Sequence, residues 1–382
     1  MLHVETGYSM RKIRILHLAQ SAGYGVTIYV ESLIKGLDKK KFEQILLGSD
    51  YYNTEHFRNM VDKLITIHMD RNITKNDIKT ILQCRNIIKQ ENPDIVYCHS
   101  AKAGIYGRLA CIGTKHKVVY NPHGWAFNMK CSRLKKSFYK SIEIVFATIT
   151  NRIITISDYE RTTTPYQIPR NKVQTILNGI DIEASKEILE KSELTREKAG
   201  IPENKYVIGL VARISIQKGQ DLFVDVARRV KEAIPNAFFV IVGDKSDNVP
   251  IEQMIASHNL QNDFLITGEV PDAIRYAALF DVAVLTSRWE GFGLVIPEYM
   301  IAKKPIVAFA VDAIPELIKH GETGVLVEKE NTIEMADAII DLYKRPQVIN
   351  GLVKKAYQTA VERFTLERVV KEHEMVFEEI VN

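Results

Sequence analysis

No run in this 382-residue sequence approaches the ~18 consecutive apolar residues of a membrane span, so no helix is expected to cross a bilayer. The four cysteines are Cys84, Cys98, Cys111 and Cys131, and no two stand at metal-ligand spacing. So few thiols in so long a chain make neither a disulfide framework nor a zinc module, and a reducing cytosol is the expected compartment. The first ten residues lack a charged start followed by an apolar run, which argues against a secretory signal. They read as a disordered extension, or as the product of an upstream start codon, ahead of the first strand. No repeat or low-complexity tract is visible. Acidic residues are missing altogether between Asp94 and Glu143, a stretch that carries Lys102, Arg108, Lys115, Lys117, Lys130, Arg133, Lys135, Lys136 and Lys140.

What is present fits a globular chain of two or three domains: 46% hydrophobic and 26% charged residues. The formal net charge of +4 conceals an asymmetry. Residues 1–180 carry 27 basic and 14 acidic side chains, and the remainder carries 24 and 33. A basic half fits nucleic acid, an anionic membrane surface, a phosphorylated acceptor, or only a solvated basic face.

The hydrophobic pattern alternates between short runs and helical periods. Ile13–Leu18 is apolar and ends at a glycine turn, Ser21 to Gly25. Val26, Val30, Leu33, Ile34 and Leu37 then fall on one helical face. Strands are predicted at 42–47, 95–98, 118–120, 152–156 and 173–176, with helices at 77–90 and 133–146. The segment 178–205 turns polar and reads as a linker. A second series follows: strands at 206–211, 237–242, 264–267, 281–285, 305–309 and 324–327. Helices are predicted at 221–232, 271–280 and from Val295, and helical patterns fill the chain from Thr332 onward. Alternation of this kind argues for α/β architecture with doubly wound parallel sheets. The expectation is two Rossmann-like domains facing across a cleft, with a C-terminal helical tail. The domains are placed at 1–185 and 186–364, and the helix of 365–382 is expected to pack back on the first. Ligands of such sheets sit at the carboxyl ends of the strands.

Two strand-end segments carry the chemistry. In Ser287-Arg-Trp-Glu-Gly-Phe-Gly-Leu-Val-Ile-Pro-Glu298, Gly291 and Gly293 let backbone pass close to a ligand. Pro297 suits a first helical turn. N–H groups around Leu294 and Val295 make an anion site suited to a diphosphate, and Glu290 and Glu298 bracket it with acceptors for hydroxyls. The bland alternative is an ordinary strand-to-helix turn with exposed carboxylates. In Gly209-Leu-Val-Ala-Arg-Ile-Ser-Ile-Gln-Lys-Gly219, Arg213 and Lys218 place two cations beside the same edge. Alone, that Arg is more often a surface residue than a ligand.

Taken as an ordered set, these motifs resemble the family 4 glycosyltransferases of GT-B architecture. The family's E-G-F-G-L-x-x-x-E pattern stands as Glu290 to Glu298 and its R-x-x-x-x-K-G pattern as Arg213 to Gly219. Asn178-Gly-Ile-Asp181 is similar to its N-G-V-D signature and Ile156-Ser-Asp158 to its strand-end serine element. Gly243-Asp244 and Gly268 match glycines after two strands of its second domain. His123 matches a His that meets the donor sugar, and Gly23-Tyr-Gly25 a glycine loop near the donor phosphates.

The resemblance implies a retaining, metal-independent transfer of a hexose or N-acetylhexosamine from a nucleotide-sugar, expected to be UDP-linked. The nucleotide-sugar is a substrate, and no cofactor is expected. Arg213 and Lys218 would neutralise the leaving diphosphate, Glu298 would hold ribose hydroxyls, and Glu290 and His123 would touch the sugar. Gly23, Gly25, Gly243, Gly291, Phe292, Gly293, Leu294 and Val295 complete the expected donor site. No D-x-D metal motif is present, and cations with a helix end would take the metal's place. The family's role in capsule and exopolysaccharide assembly implies a saccharide acceptor on a lipid diphosphate, at the inner face of the cytoplasmic membrane.

Three positions depart from the pattern. Lys303 stands where Gly is usual, Asp312-Ala-Ile-Pro-Glu316 replaces G-G-x-x-E, and Val26-Thr27 follow the N-terminal glycines in place of Glu. His99 and Lys102, at a strand end, are candidates for the acceptor, although His99 reads equally as a buried structural His. The segment from Arg133 to Lys140, with Trp125 and Phe127 before it, fits an anionic bilayer at about 1 kcal/mol per basic residue. Core packing explains those aromatics as well. Rival readings are a UDP-sugar epimerase of similar fold, a non-catalytic anion- or nucleic-acid-binding protein, and an NAD-dependent oxidoreductase. Nucleic acid is not expected as a partner, because the phosphate-facing turns lie in the acidic half. The oxidoreductase expects a third glycine after Gly23-Tyr-Gly25, and none is there.

Overall fold

A computed structural model describes residues 11–20, 24–52, 54–70, 74–129, 132–245 and 247–382, with the backbone alone at Tyr24. The described chain forms two compact units. The first holds the residues up to Ile156, Glu160–Ile176 and Val369–Asn382; the second holds Ser157–Tyr159 and Leu177–Arg368.

The first unit is built on seven strands: β1 (Ile13–Ala19), β2 (Phe42–Gly48), β3 (Lys63–Thr66), β4 (Ile95–His99), β5 (Lys117–Asn121), β6 (Arg152–Thr155) and β7 (Val173–Thr175). They run parallel in the order β3-β2-β1-β4-β5-β6-β7. The second unit has six: β8 (Tyr206–Val211), β9 (Ala237–Val242), β10 (Phe264–Ile266), β11 (Val282–Leu285), β12 (Ile306–Phe309) and β13 (Val325–Val327). Their order is β10-β9-β8-β11-β12-β13, again parallel. Central strands such as β9 are buried at every position, as expected of a parallel sheet covered by helices. In each sheet the chain winds one way from its first strand and then crosses to that strand's other side. The switch points are therefore β1/β4 and β8/β11, where ligands of doubly wound sheets bind.

Four of the differences from the sequence expectation have a physical reason in the structure. β3 is absent from the expected strands; it is a four-residue edge with no fully buried position. A helix over Ala101–Ala110 was hidden by Gly104 and Gly107. Both glycines are packing requirements. A Cβ at Gly104 would lie 2.4 Å from the Tyr120 ring, and one at Gly107 would lie 2.2 Å from Cys98 Sγ. The predicted linker contains a helix, Ile182–Glu190, whose N-cap Asp181 accepts from the Ala184 N–H at 2.8 Å. Its charged residues masked the amphipathic period. The helix expected over 271–280 forms only at Ile274–Ala277. The helical tail is present, as Thr332–Lys344, Ile349–Arg363 and Leu366–Val381.

The basic stretch is not one surface. Arg108 is fully buried; it donates to Glu143 at 2.7 and 3.3 Å and to the Gly104 carbonyl at 2.8 Å. Trp125 and Phe127 are core residues with stacked rings 5.1 Å apart, and Trp125 Nε1 donates to the Glu160 carbonyl at 2.9 Å. Neither aromatic is available to a bilayer, so core packing accounts for both. The helix Arg133–Ala147 does present apolar side chains. Leu134, Phe138 and Val145 are 85%, 61% and 63% exposed, and their spacing puts them on one helical stripe.

Candidate active site

In the second unit the two motif segments leave neighbouring strands. β8 and β11 pair in register Ile208↔Val282 and Gly209↔Ala283, so both loops open at the same sheet edge beside the switch point. Their conformations are tied together by hydrogen bonds. The Arg288 N–H donates to the Gln217 carbonyl at 2.8 Å, and Gln217 Nε2 donates to the Trp289 carbonyl at 3.1 Å. Thr286 Oγ1 donates to the Lys218 carbonyl at 2.9 Å. The Arg288 guanidinium grips both oxygens of Asp221, at 2.9 and 2.5 Å, in the first turn of the following helix.

Close approach sets the glycines. Gly219 has φ 68°, and a Cβ there would lie 2.2 Å from the Thr286 carbonyl oxygen. Gly243 has φ 144°, and a Cβ would lie 2.3 Å from the Ala212 carbonyl oxygen. Gln220 is buried beneath the cation loop. Its Nε2 donates to the Arg213 carbonyl at 2.9 Å and its Oε1 accepts from the Ser215 N–H at 3.1 Å.

The charged groups meet at Glu290, which is only 5% exposed. Lys218 Nζ forms an ion pair with Glu290 Oε1, and Ser287 Oγ donates to the same oxygen at 2.7 Å. The Glu290 N–H donates to Asp312 Oδ2 at 2.9 Å. Arg213 donates to Gln217 Oε1 at 3.3 Å, and among the described residues no carboxylate pairs with it. A half-buried guanidinium with donors to spare, on the same loop as an ammonium, has the chemistry to receive a dianion. The N–H groups of Leu294 and Val295, at the start of the helix Val295–Ile301, have no backbone acceptor among the described residues. The Glu298 carboxyl is enclosed although the residue as a whole is partly exposed. Burial alone raises its pKa from 4.5 to about 7.

Phe292 is a core side chain whose ring meets Phe364 edge-on at 5.8 Å. Its place in the motif is packing under the loop. Gly291 is partly exposed; Gly293 has φ 92°. The two departures in this unit have local explanations. Asp312 takes φ 46°, which Asp tolerates, and uses its carboxylate to hold Glu290. Lys303 takes φ 55° just after the helix Val295–Ile301, the left-handed position that favours Gly. Its Nζ lies 5.3 Å from the Tyr357 ring centroid.

In the first unit, Gly25 is exposed in the first turn of the helix Tyr24–Gly36, and no atom would come within 4 Å of a Cβ there. Gly23 lies outside the described residues. His123 follows β5 with φ 51° and is partly exposed. Its Nε2 is 3.2 Å from His99 Nδ1, and its backbone N–H donates to Asn121 Oδ1 at 2.9 Å. His99 is fully buried. Lys102 is mostly buried and pairs with Asp77 Oδ1 at 3.1 Å. Its charge is answered within the fold, as that of Lys218 is by Glu290.

Ser287, Gln217, Gln220 and Asp312 are site residues that the sequence reading does not single out. The three-residue step from Ser287 to Glu290 and the Asp in place of a motif glycine were the available signals.

Residues 24–184 match the family described as Glycosyltransferase Family 4, and residues 191–359 match Glycosyl transferases group 1. A UDP-Gal:alpha-D-GlcNAc-diphosphoundecaprenol alpha-1,3-galactosyltransferase of Escherichia coli is 28% identical over 337 residues, 86% of this chain and 87% of that protein. An N-acetyl-alpha-D-glucosaminyl L-malate synthase of Bacillus anthracis is 26% identical over 80% of each. Among solved structures, Anabaena Alr3699/HepE in complex with UDP and glucose superposes with a TM-score of 0.80. It shares 20% identity and covers 96% of this chain and 100% of its own, a likeness of fold.

Proposed function

Because the chain belongs to the family 4 glycosyltransferases, we propose that it moves a hexose or N-acetylhexosamine from a UDP-sugar to a saccharide acceptor carried on a lipid diphosphate. The reaction proceeds with retention at the anomeric carbon and serves cell-surface polysaccharide synthesis. The observation that carries this reading is the loop pair of the second unit, with Arg213 and Lys218 fixed beside a buried Glu290. The relative from E. coli supports the choice of UDP donor and lipid-linked acceptor through the substrates in its name.

Arg213 and Lys218 neutralise the diphosphate as the bond from anomeric carbon to phosphate oxygen breaks. The departing UDP takes the electron pair. The acceptor oxygen bonds to the anomeric carbon on the same face, and its proton passes to the leaving phosphate oxygen. Lys218 turns from Glu290 to the incoming phosphate, and Ser287 and the Asp312-bound backbone keep Glu290 in place for a sugar hydroxyl. A guanidinium and an ammonium supply the charge, so transfer is expected to continue in EDTA. A thermal-shift screen of UDP-, GDP- and ADP-sugars tests the donor. UDP compounds at a hundred times their dissociation constant stabilise by about 2.7 kcal/mol, and no shift with any of them removes the UDP assignment.

Glu298 gives the nucleotide site a pH dependence. Ribose hydroxyls that donate to it favour the carboxylate, so UDP binding near pH 6 releases a proton and tightens about tenfold between about pH 6 and pH 8. The sign for stability is the reverse. An acid whose folded pKa is raised costs nothing below its unfolded value of 4.5, and that cost is complete above about 7. Calorimetry in buffers of different ionisation enthalpy reads the released proton; in Glu298→Gln it disappears. Pre-existing ionisation, with no proton released at pH 6, contradicts the assignment.

The apolar stripe of Leu134, Phe138 and Val145, flanked by Arg133, Lys135 and Lys140, suits the headgroup region of an anionic bilayer. This supports a peripheral position for the enzyme on the inner face of the cytoplasmic membrane. The protein is expected to float with phosphatidylglycerol vesicles and not with phosphatidylcholine vesicles. The double variant Leu134→Asp, Phe138→Asp stays in the soluble fraction. Flotation of that variant with anionic vesicles rules the stripe out.

A further inference from the structure

Three histidines step across the first unit's switch point. His17 lies in β1, His99 ends β4, and His123 follows β5. His17 Nδ1 is 3.2 Å from His99 Nε2, and His99 Nδ1 is 3.2 Å from His123 Nε2. His17 and His99 are fully buried. Burial lowers the pKa of His17 and of His123 to about 3 and that of His99 well below its ordinary value, with neighbouring histidines adding to the effect. All three rings are neutral near pH 7, and each neutral ring has one N–H and one lone pair. Two successive ring-to-ring bonds then allow only two proton arrangements, one pointing toward the surface and one pointing inward.

Gln44 decides between them. Its Nε2 donates to the Ile34 carbonyl at 2.9 Å, which can only accept, so the orientation of the amide is fixed. The remaining Oε1 is buried and forms no hydrogen bond in this structure, and the same is true of His17 Nε2, while the Gln44 amide lies close enough to favour a proton on that imidazole. A nearby amide oxygen favours a proton on Nε2, the His17 nitrogen not already engaged with His99. His17 Nδ1 then accepts from His99 Nε2–H, and His99 Nδ1 accepts from His123 Nε2–H.

We propose that Gln44, His17 and His99 form a buried relay that fixes His123 as its Nε2–H tautomer. His123 Nδ1 is thereby an obligate hydrogen-bond acceptor, matched to a substrate hydroxyl and mismatched to an oxygen that carries no proton. A second chain fixes the pose of the ring. His373 Nδ1 donates to the Val369 carbonyl at 2.7 Å, so its single Nε2 lone pair accepts from the Tyr29 hydroxyl at 2.8 Å, with the Tyr97 hydroxyl 3.1 Å away. The Tyr97 hydroxyl accepts from Asn121 Nδ2 at 3.4 Å, and Asn121 Oδ1 holds the His123 N–H. His17 and His99 are positioning residues: they act on substrate only through His123.

The relay is read by two-bond ¹H–¹⁵N spectra of the full-length protein labelled with ¹⁵N-histidine, with His123 assigned by the signal lost in His123→Gln. The expected result is a protonated Nε2 and a pyridine-like Nδ1. A protonated Nδ1 at His123 overturns the proposal. His99→Phe keeps the ring volume and breaks the chain, so the His123 signals should become those of mixed tautomers; unchanged signals also overturn it. Gln44→Leu is the second variant and should loosen the tautomer without touching a histidine.

A catalytic arm rests on the glycosyltransferase reading. His99→Phe should lower kcat about tenfold, the loss of one oriented hydrogen bond, and leave UDP affinity unchanged. Undiminished kcat overturns the relay's part in transfer. Failure of the wild type to bind UDP instead refutes the donor reading, and the tautomer spectra stand apart from it.

Discussion

Arg213→Ala is expected to lower turnover about 10²–10³-fold, the usual loss when one fixed donor to a developing anion is removed. Stability should barely move, because among the described residues no carboxylate depends on this guanidinium. Lys218→Ala should lose comparable turnover and also destabilise the fold by about 3–5 kcal/mol, since Glu290, 5% exposed, is left with a buried charge and no cation. The contrast separates a residue that waits for a ligand from one already at work in the fold. Turnover and thermal unfolding measured on the same preparations decide it. Arg213→Lys should recover little, because an ammonium cannot grip phosphate with two parallel bonds. If Arg213→Ala and Glu290→Gln both transfer sugar at the wild-type rate, the second-unit loops are not the donor site.

The next largest effect is expected from one methyl group. Gly219→Ala puts a Cβ 2.2 Å from the Thr286 carbonyl oxygen in a left-handed conformation. The obstacle is backbone, so the loop must move. The expected cost is about 3 kcal/mol, a fall of roughly 6–12 °C in the melting temperature. The loop that shifts is the one carrying Lys218, so transfer should fall as well, even at temperatures where the variant is folded. Gly351→Ala is the control. It lies inside the helix Ile349–Arg363 with nothing within 4 Å of its Cβ, and should stabilise by about 0.5–1 kcal/mol. Equal melting points for the two variants would show that Gly219 is not constrained.

The sequence made some of this legible and hid the rest. β8 and β9 could be read to the residue, because strands of a covered parallel sheet are apolar throughout and end at turns. The helix Ala101–Ala110 could not, since Gly104 and Gly107 lower helix propensity and only the distant Tyr120 and Cys98 explain them. The two motif loops of the second unit were legible because glycines, cations and carboxylates cluster locally. Asp312 was visible only as a departure from pattern; its bond to Glu290 spans 22 residues and had no local signal. His17 gave none either. A histidine inside an apolar strand has meaning only when the neighbouring strands bring His99 and Gln44 beside it. Pairwise spacing along the chain carries no such information.

The chain's order of appearance during synthesis conflicts with its division into units. Val369–Asn382 belongs to the first unit but leaves the ribosome after the whole of the second. Until then Tyr29 and Tyr97 lack the imidazole of His373, and Phe42 lacks Phe377. The groove at Gly36 also stays empty; in the finished fold Val370 fills it so closely that a Cβ on Gly36 would lie 2.3 Å from it. The unit that starts first is therefore finished last. Its nascent form carries uncovered aromatic surface for most of translation, the state in which chaperones and proteases act. A chain that stops early is thus marked in its first half, however well its second half has folded.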